Sequence, residues 1–518
     1  MRAFEGIGAV RVEVVVENDW ALEPSPRGYT YNTNIDVAGR GTVFTEANVR
    51  HWSKARWRRV VWWGTQPSVD VKHNSQYFQA TGAVPTYDPR VTMLSSALDS
   101  MQSGFVNNSN LMDIGVLNPD QPAGGGRTEI APLPGFTAAY IISQDFRAKR
   151  STIGHGEQGG AWPMHYRDKA TDRPVSVDTY PQATIISSPK FFPNCTATCP
   201  VERQDPTAEP AHHPSLAYVP YLVTGDYYHL EEVQFWGNWI LFYGRISGRV
   251  TWDQIRGQGW GLRTLAHAAY ATPDSDPLKG YFTGKLQNNI THYINNRVNP
   301  NAPLHTTLGY MTNTGDAAWL GYPQTMSTWM DDFLTWAFGH IVALGYTEAR
   351  PVLEWKAKFP VGRLTHPDMC WVMASTYWPH VQDARYLGGT GAFVNNWRDW
   401  RYNVIYSWEE SFPETGDVRD LGGQEQALFN SACASSQMYS ILGISTNCMV
   451  GYTGHESYSA NMQPAVAVAV EAGVTNAQAA FDRLTTQGCY PLSDYRSEPQ
   501  WAAIWRSEER RVGKECRS

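Results

Sequence analysis

Charge is thin in this sequence. Asp, Glu, Lys and Arg together make 18% of 518 residues, against roughly a quarter in ordinary globular domains. The formal net charge is −7 and no basic block occurs, which argues against a nucleic-acid partner. Long apolar runs are missing too. None reaches the roughly 18 residues that a membrane span needs, and no signal peptide is visible. Several chemistries lack their motif. There is no HExxH for a zinc protease and no GxxxxGK[ST] for a nucleotide phosphate. There is no GxSxG elbow for a serine hydrolase. No cofactor and no metal site is expected, which leaves acid–base chemistry by His, Tyr, Glu and Asp.

Cysteine is scarce as well. There are seven, and Cys516 lies in the tail Arg506–Ser518, RSEERRVGKECRS. That tail matches nothing around it in composition. It resembles the translated read-through of a sequencing adapter and is set aside from the fold. Cys195-x3-Cys199 sits in a Pro/Thr-rich loop and is spaced for a local disulfide. A zinc site would need a second close ligand pair. With Cys370, Cys433, Cys448 and Cys489, the body fits either a disulfide or two in a secreted or periplasmic protein, or buried free thiols.

Aromatic residues are plentiful. Twenty-one residues are tryptophan and aromatics total 13%. Flat rings beside polar groups suit sugars, whose C–H faces stack on them. Large helical proteins also use Trp as plain core.

Residues 1–90 read as β structure. Val10, Val12, Val14 and Val16 alternate with Arg11, Glu13, Val15 and Glu17, a period of two. Tyr29–Val37, Trp57–Trp63 and Val69–Val71 are further strand candidates, with turns at 24–28 and 37–41. A β-sandwich or barrel is expected, the later part of a larger domain. The stretch HWSKARWRRVVWWG at 51–64 reads either as a surface that meets an acidic sugar or as a sheet packing its Trp face on the next domain. Residues 91–129 form a connector ending in the Pro/Gly-rich loop 118–129.

Residues 130–505 turn helical. Predicted pairs are Ile130–Gln144 with Phe146–Gly154, Thr251–Ala271 with Leu278–Asn296, and Trp329–Leu344 with Glu348–Phe359. A late pair, Gln463–Ala472 with Ala477–Thr486, follows a long helix over Gln424–Leu442. The stretch Glu209–Asn238 holds another hairpin, with Pro214 in its first turn, Pro220 kinking it and Gly225-Asp226 at the turn. Similar hairpins in series predict an α/α array closing into a toroid. The fold class is therefore α+β and multidomain.

Four loops gather reactive residue types. Gly154–Asp168 holds His155, Glu157, Trp162, His165, Tyr166 and Arg167. Glu209–His213 holds His212 and His213. The third is Tyr310–Tyr322, with Asp331-Asp332 following. The fourth is Trp408–Glu414, with Glu409-Glu410, joined by Gly454–Glu456, which contains His455. Two mechanisms compete. In β-elimination on a uronate glycan, a base removes the proton beside the carboxylate and a cation offsets the charge that builds there. His213 or His212 would be the base, Tyr166 or Tyr218 the acid, and Arg167 or Arg127 the carboxylate partner, with His165 beside them. Glu129, His155, Glu157, Trp162, Trp236, Asp331, Glu409 and His455 would contact substrate. Hydrolysis instead needs two carboxylates, drawn from Glu157, Glu231, Asp331, Asp332, Glu409 and Glu410. A non-catalytic sugar binder is the third reading.

VRVEVVVEN, ARWRRVVWWG and AHHPSLAYVPYLVTGD, in this order, resemble bacterial carbohydrate-active proteins of the six-hairpin, (α/α)6-toroid type. The layout is also similar to exo-acting rhamnogalacturonan lyase-like proteins. The resemblance implies a toroid and an acidic polysaccharide as partner, and leaves the reaction and the oligomeric state open.

Overall fold

In a computed structural model, the structure describes residues 2–506 apart from 5, 22, 24–25, 122–126, 182, 186–205, 244–247, 251–253, 313–324, 377–378, 383–391, 407–420 and 452–453. Five strands come first: β1 (Arg2–Phe4), β2 (Ala9–Asn18), β3 (Tyr29–Val37), β4 (Gly41–His51) and β5 (Ala55–Trp63). They form an antiparallel sheet ordered β1-β2-β5 and an antiparallel hairpin β3-β4. The expected alternation holds in β2. Val16 stands opposite Trp57 and Glu17 opposite Arg56. One face sends Val14, Val16 and Trp57 against Tyr31, Phe44 and Val49 of the hairpin.

The other face of the sheet is charged, and it is this face that meets the helices. Arg56 and Arg58 are buried there. The Trp-face reading of 51–64 is thus corrected: Trp57 packs within the β part and the arginines make the junction. A β-strand points successive side chains to opposite faces, so RWRR divides one by one. Val69–Val71 forms no strand and its valines are exposed.

Fifteen α-helices follow among the described residues. α1 (Ser75–Ala80) and α2 (Ser95–Val106) precede α3 (Gly135–Ser143) and α4 (Phe146–Gln158). Next come α5 (Tyr218–Thr224), α6 (Tyr227–Tyr243), α7 (Ile255–Ala271), α8 (Leu278–Tyr293), α9 (Thr328–Ala343) and α10 (Arg350–Thr365). α11 (Trp397–Tyr406), α12 (Glu425–Asn430), α13 (Ser436–Leu442), α14 (Tyr458–Glu471) and α15 (Ala477–Thr485) complete the series. Gln144 ends α3 in the left-handed region at φ 53°, and Asp145 caps α4 by accepting from the Arg147 N–H. α5 begins later than its prolines predicted. Pro214 lies outside it and Pro220 sits in its first turn, where a missing N–H breaks no bond. Gly225 then closes it in the left-handed region.

α6, α7, α9 and α14 pack one on the next. Each is buried on nearly every side, the signature of a central helix. α8 and α15 lie outside and bury one face only. The end of the series returns to its start. Strand Ala503–Ile504 pairs with Thr86–Tyr87, and the turn Pro499–Trp501 packs on both α3 and α14.

The long helix predicted over 424–442 is two short ones. Ser435 caps the second through its hydroxyl, and Ala434 takes a left-handed φ of 58°. Cys433 between them is tied to Cys370, while Cys448 is tied to Cys489. The Cys195–Cys199 pair lies outside the described residues. Arg506 belongs to the folded body, where its Nε donates to Glu471 at 2.7 Å. Among the described residues no helix is long and apolar enough to cross a membrane.

Candidate functional site

The N-terminal ends of α3, α7, α9 and α14 gather polar residues from segments far apart in sequence. The turn Pro210–His212 packs on α7. On it, Nδ1 of His212 lies 2.8 Å from Oε2 of Glu209. Glu209 is itself held by a backbone bond to the Gln121 side chain at 2.7 Å. His212 is 1% exposed, and its Nε2 has no hydrogen-bond partner among the described residues. A buried polar nitrogen left so is unusual in a native fold.

Electrostatics fix the state of this ring. Burial pulls the His212 imidazole below its ordinary value, the Glu209 bond pushes back, and Arg256 and Arg127 pull it down further. At neutral pH the ring is therefore uncharged. It donates Nδ1–H to the carboxylate and presents a lone pair at Nε2.

Cations and rings stand around it. Arg127 has its Nε 3.3 Å from Glu129, gives one Nη2 bond to the Gln121 carbonyl, and has no partner for Nη1 among the described residues. Arg256, in the first turn of α7, lies 5.0 Å over the Trp329 ring. Trp329, the second residue of α9, stacks at 5.4 Å on Tyr458, the first residue of α14. His455, three residues earlier, acts electrostatically on Glu498, whose carboxyl is raised chiefly by burial. The Glu498 carboxyl takes side-chain hydrogen bonds from Thr128 and Gln500. The turn at 128–129 is docked on α3 by the Gly135 N–H, which donates to Thr128 O at 2.7 Å. Helix N-termini carry partial positive charge, which here meets the carboxylates of Glu209, Glu129 and Glu498.

The rim thus unites His212, Arg127, Glu129 and His455 of the expected residues. It adds Glu209, Arg256, Trp329, Tyr458 and Glu498, which sequence reasoning did not single out. A signal existed for Glu209: a carboxylate three residues before a histidine, on a turn opened by proline.

The remaining expected residues do other work. His213 is fully buried and stacks on Trp239 at 5.6 Å, with its carbonyl taken by Arg263. Trp236 packs 4.8 Å from His213 and edge-on to Trp162. Tyr218 donates to the Ala83 carbonyl and stacks 3.6 Å from His267. His155 bonds the Ser151 carbonyl at 2.7 Å and stacks on Phe136, and burial lowers it to about 4. Asp331 pairs with Lys356, and Asp332 with Arg363, all fully buried. Tyr310 donates to the Val394 carbonyl. These are packing and structural pairs. Glu409 and Glu410 lie outside the described residues.

His165, Tyr166 and Arg167 sit at the junction of sheet and helices. His165 Nε2 meets Glu232 at 2.9 Å. Arg56 reaches Glu232 at 2.6 Å and Glu231 at 2.8 Å. Arg167 reaches Asp19, Glu17 and Glu231 within 3.1 Å. Tyr166 packs edge-on to Phe242. Glu157 faces Arg58 there at 3.7 Å. The first loop is thus spent largely on fastening the β part to α6.

Among the described residues no His, Cys, Asp and Glu side chains cluster to hold a metal ion. Comparison with protein families, with curated proteins and with solved structures finds no match.

Proposed function

We propose that the chain is a polysaccharide lyase acting on a uronate-containing glycan, with His212 as base. The observation that carries this is the His212–Glu209 pair, whose buried Nε2 is unspent and flanked by Arg127 and Arg256. Neutral Nε2 takes the proton from the carbon beside the carboxylate. The guanidiniums offset the negative charge that develops on the carboxylate. The electron pair forms the carbon–carbon double bond as the glycosidic C–O bond breaks. Glu498, raised by burial, gives the leaving oxygen its proton. Trp329 and Tyr458 supply the stacking platform for a ring. The series of central helices whose end returns to its start supports an α/α toroid, with the two small sheets as a sandwich beside it. Two disulfides support a secreted or periplasmic location.

The test is ultraviolet absorbance of the unsaturated uronate on pectic and other uronate polymers. Wild-type protein should produce it and His212→Ala should not. A second reading, hydrolysis, has one observation in its favour. Two carboxylates, Glu129 paired with Arg127 and Glu498 raised by burial, stand on the same rim. New reducing ends without that absorbance would select it. Binding without turnover would select a sugar-binding protein.

A further inference from the structure

α7 carries a second arginine on the face of Arg256, about two turns further along: Arg263. Its side chain is fully buried. Burial alone pulls the guanidinium down, to about 9, and no carboxylate acts to hold it up. At neutral pH it therefore keeps its charge inside the core, where an unpaired cation is rare. Backbone carbonyls take the place of a counter-ion. Nη1 donates to the Ala131 carbonyl at 2.6 Å and reaches that of Pro132 at 3.5 Å. Nη2 donates to the His213 carbonyl. The guanidinium lies 4.7 Å over the Trp260 ring of its own helix.

The two segments it joins are the ones that bear the rim chemistry. Ala131 follows closely on Arg127 and Glu129, and His213 comes directly after His212. Gln121 also bridges them, with its carbonyl accepting from Arg127 and its side chain from the Glu209 N–H. Arg263 ties both a second time, and ties them to the helix that carries Arg256. A planar fork reaches two separate carbonyls at once, whereas an ammonium is a point donor. Each segment has further anchors of its own. His213 stacks on Trp239, Ser215 Oγ lies 3.0 Å from His267 Nδ1, and Ile130 and Leu133 are buried. Loss of the fork would thus loosen the spacing between the segments and leave each one seated.

We propose that Arg263 is a positioning residue, which sets the distance between the base His212 and the carboxylate partner Arg127 by bracing both of their segments against α7. The role rests on the functional reading above, and Arg263 itself touches no substrate. Proton abstraction beside a carboxylate needs the base and the cation at one fixed spacing across the sugar ring, and a misplacement of about 1 Å costs on the order of 10²-fold in rate.

The experiment compares wild type with Arg263→Lys, which keeps the charge and loses the fork, and Arg263→Met, which loses both. Circular dichroism and urea unfolding check the fold. Amide hydrogen exchange is read over 127–133 and 209–216, with α9 as internal reference, and rates are measured on a uronate polymer across pH. In a folded variant, faster exchange confined to the two segments supports the brace. With it, kcat should fall about 10- to 100-fold while KM stays within about threefold. The acid limb of kcat/KM should keep its position, because Glu209 and Arg256 still surround the His212 ring. Unchanged exchange at both segments, exchange that rises equally in α9, or a wild-type kcat in a folded variant overturns the proposal. Wild-type protein without turnover sinks the lyase reading, and the brace then stands or falls on the exchange of the two segments.

Discussion

Nδ1 of His212 lies 2.8 Å from Oε2 of Glu209, three residues earlier on one tight turn. The spacing makes the pair local, carried by the single turn Pro210–His212. A carboxylate behind an imidazole selects the tautomer that leaves Nε2 free to accept a proton.

Replacing His212 by Ala should lower kcat by about 10²–10⁴-fold, the range for a lost general base. Glu209→Gln should lower it less and keep KM near wild type. Steady-state rates on a uronate polymer check both.

The pH profile separates the neighbours by sign. The active ring is neutral, so kcat/KM should rise with pH through a value below the usual histidine range. Glu209 favours the protonated ring and Arg256 opposes it. Glu209→Gln should therefore move the acid limb to lower pH, and Arg256→Ala should move it to higher pH. A limb that stays put in both variants would remove His212 from the mechanism.

Trp329→Ala should raise KM about tenfold and also lower stability by about 3–5 kcal/mol, because it removes a buried ring stacked on Tyr458. Titration with oligouronates of increasing length would show the loss.

The junction should fail in acid. Burial raises Glu232, but His165 and Arg56 outweigh it and hold the carboxyl down at about 2. Its folded value is below its unfolded one, so this stability is present above roughly pH 4.3 and is lost as pH falls towards 2. Arg56→Ala should cost about 3–5 kcal/mol, since it leaves buried Glu232 with His165 alone and takes one of the two arginines from Glu231. Chemical denaturation at pH 7 and at pH 3 measures both effects.

Reduction should lower stability by about 2–4 kcal/mol for each of Cys370–Cys433 and Cys448–Cys489. Thiol titration of the unreduced protein should find none of these four cysteines free.

The sequence showed its strands and most helices through periodicity. Tyr29–Val37 matches β3 end to end, and Trp329–Leu344 is α9 within a residue. Two kinds of feature stayed hidden. A cap is a single hydroxyl, so the break at Ser435 inside an apolar helical pattern left little trace. Partners distant in sequence left none. Arg56 and Glu232 are 176 positions apart, and nothing in RWRR says which arginine finds a carboxylate. The same limit applied to the rim. His212 stood out by type, but Arg256, Trp329 and Glu498 acquire meaning only once helix ends are brought together. His213, next to His212, has the same chemistry in isolation, and only its stacking on Trp239 assigns it to the core.

Thr86–Tyr87 can find Ala503–Ile504 only after the ribosome has passed residue 504. Until then the nascent helices have both ends of their row unmatched and their apolar flanks bare. This pairing is therefore a late event for each newly made molecule, after an interval in which that apolar surface is bare.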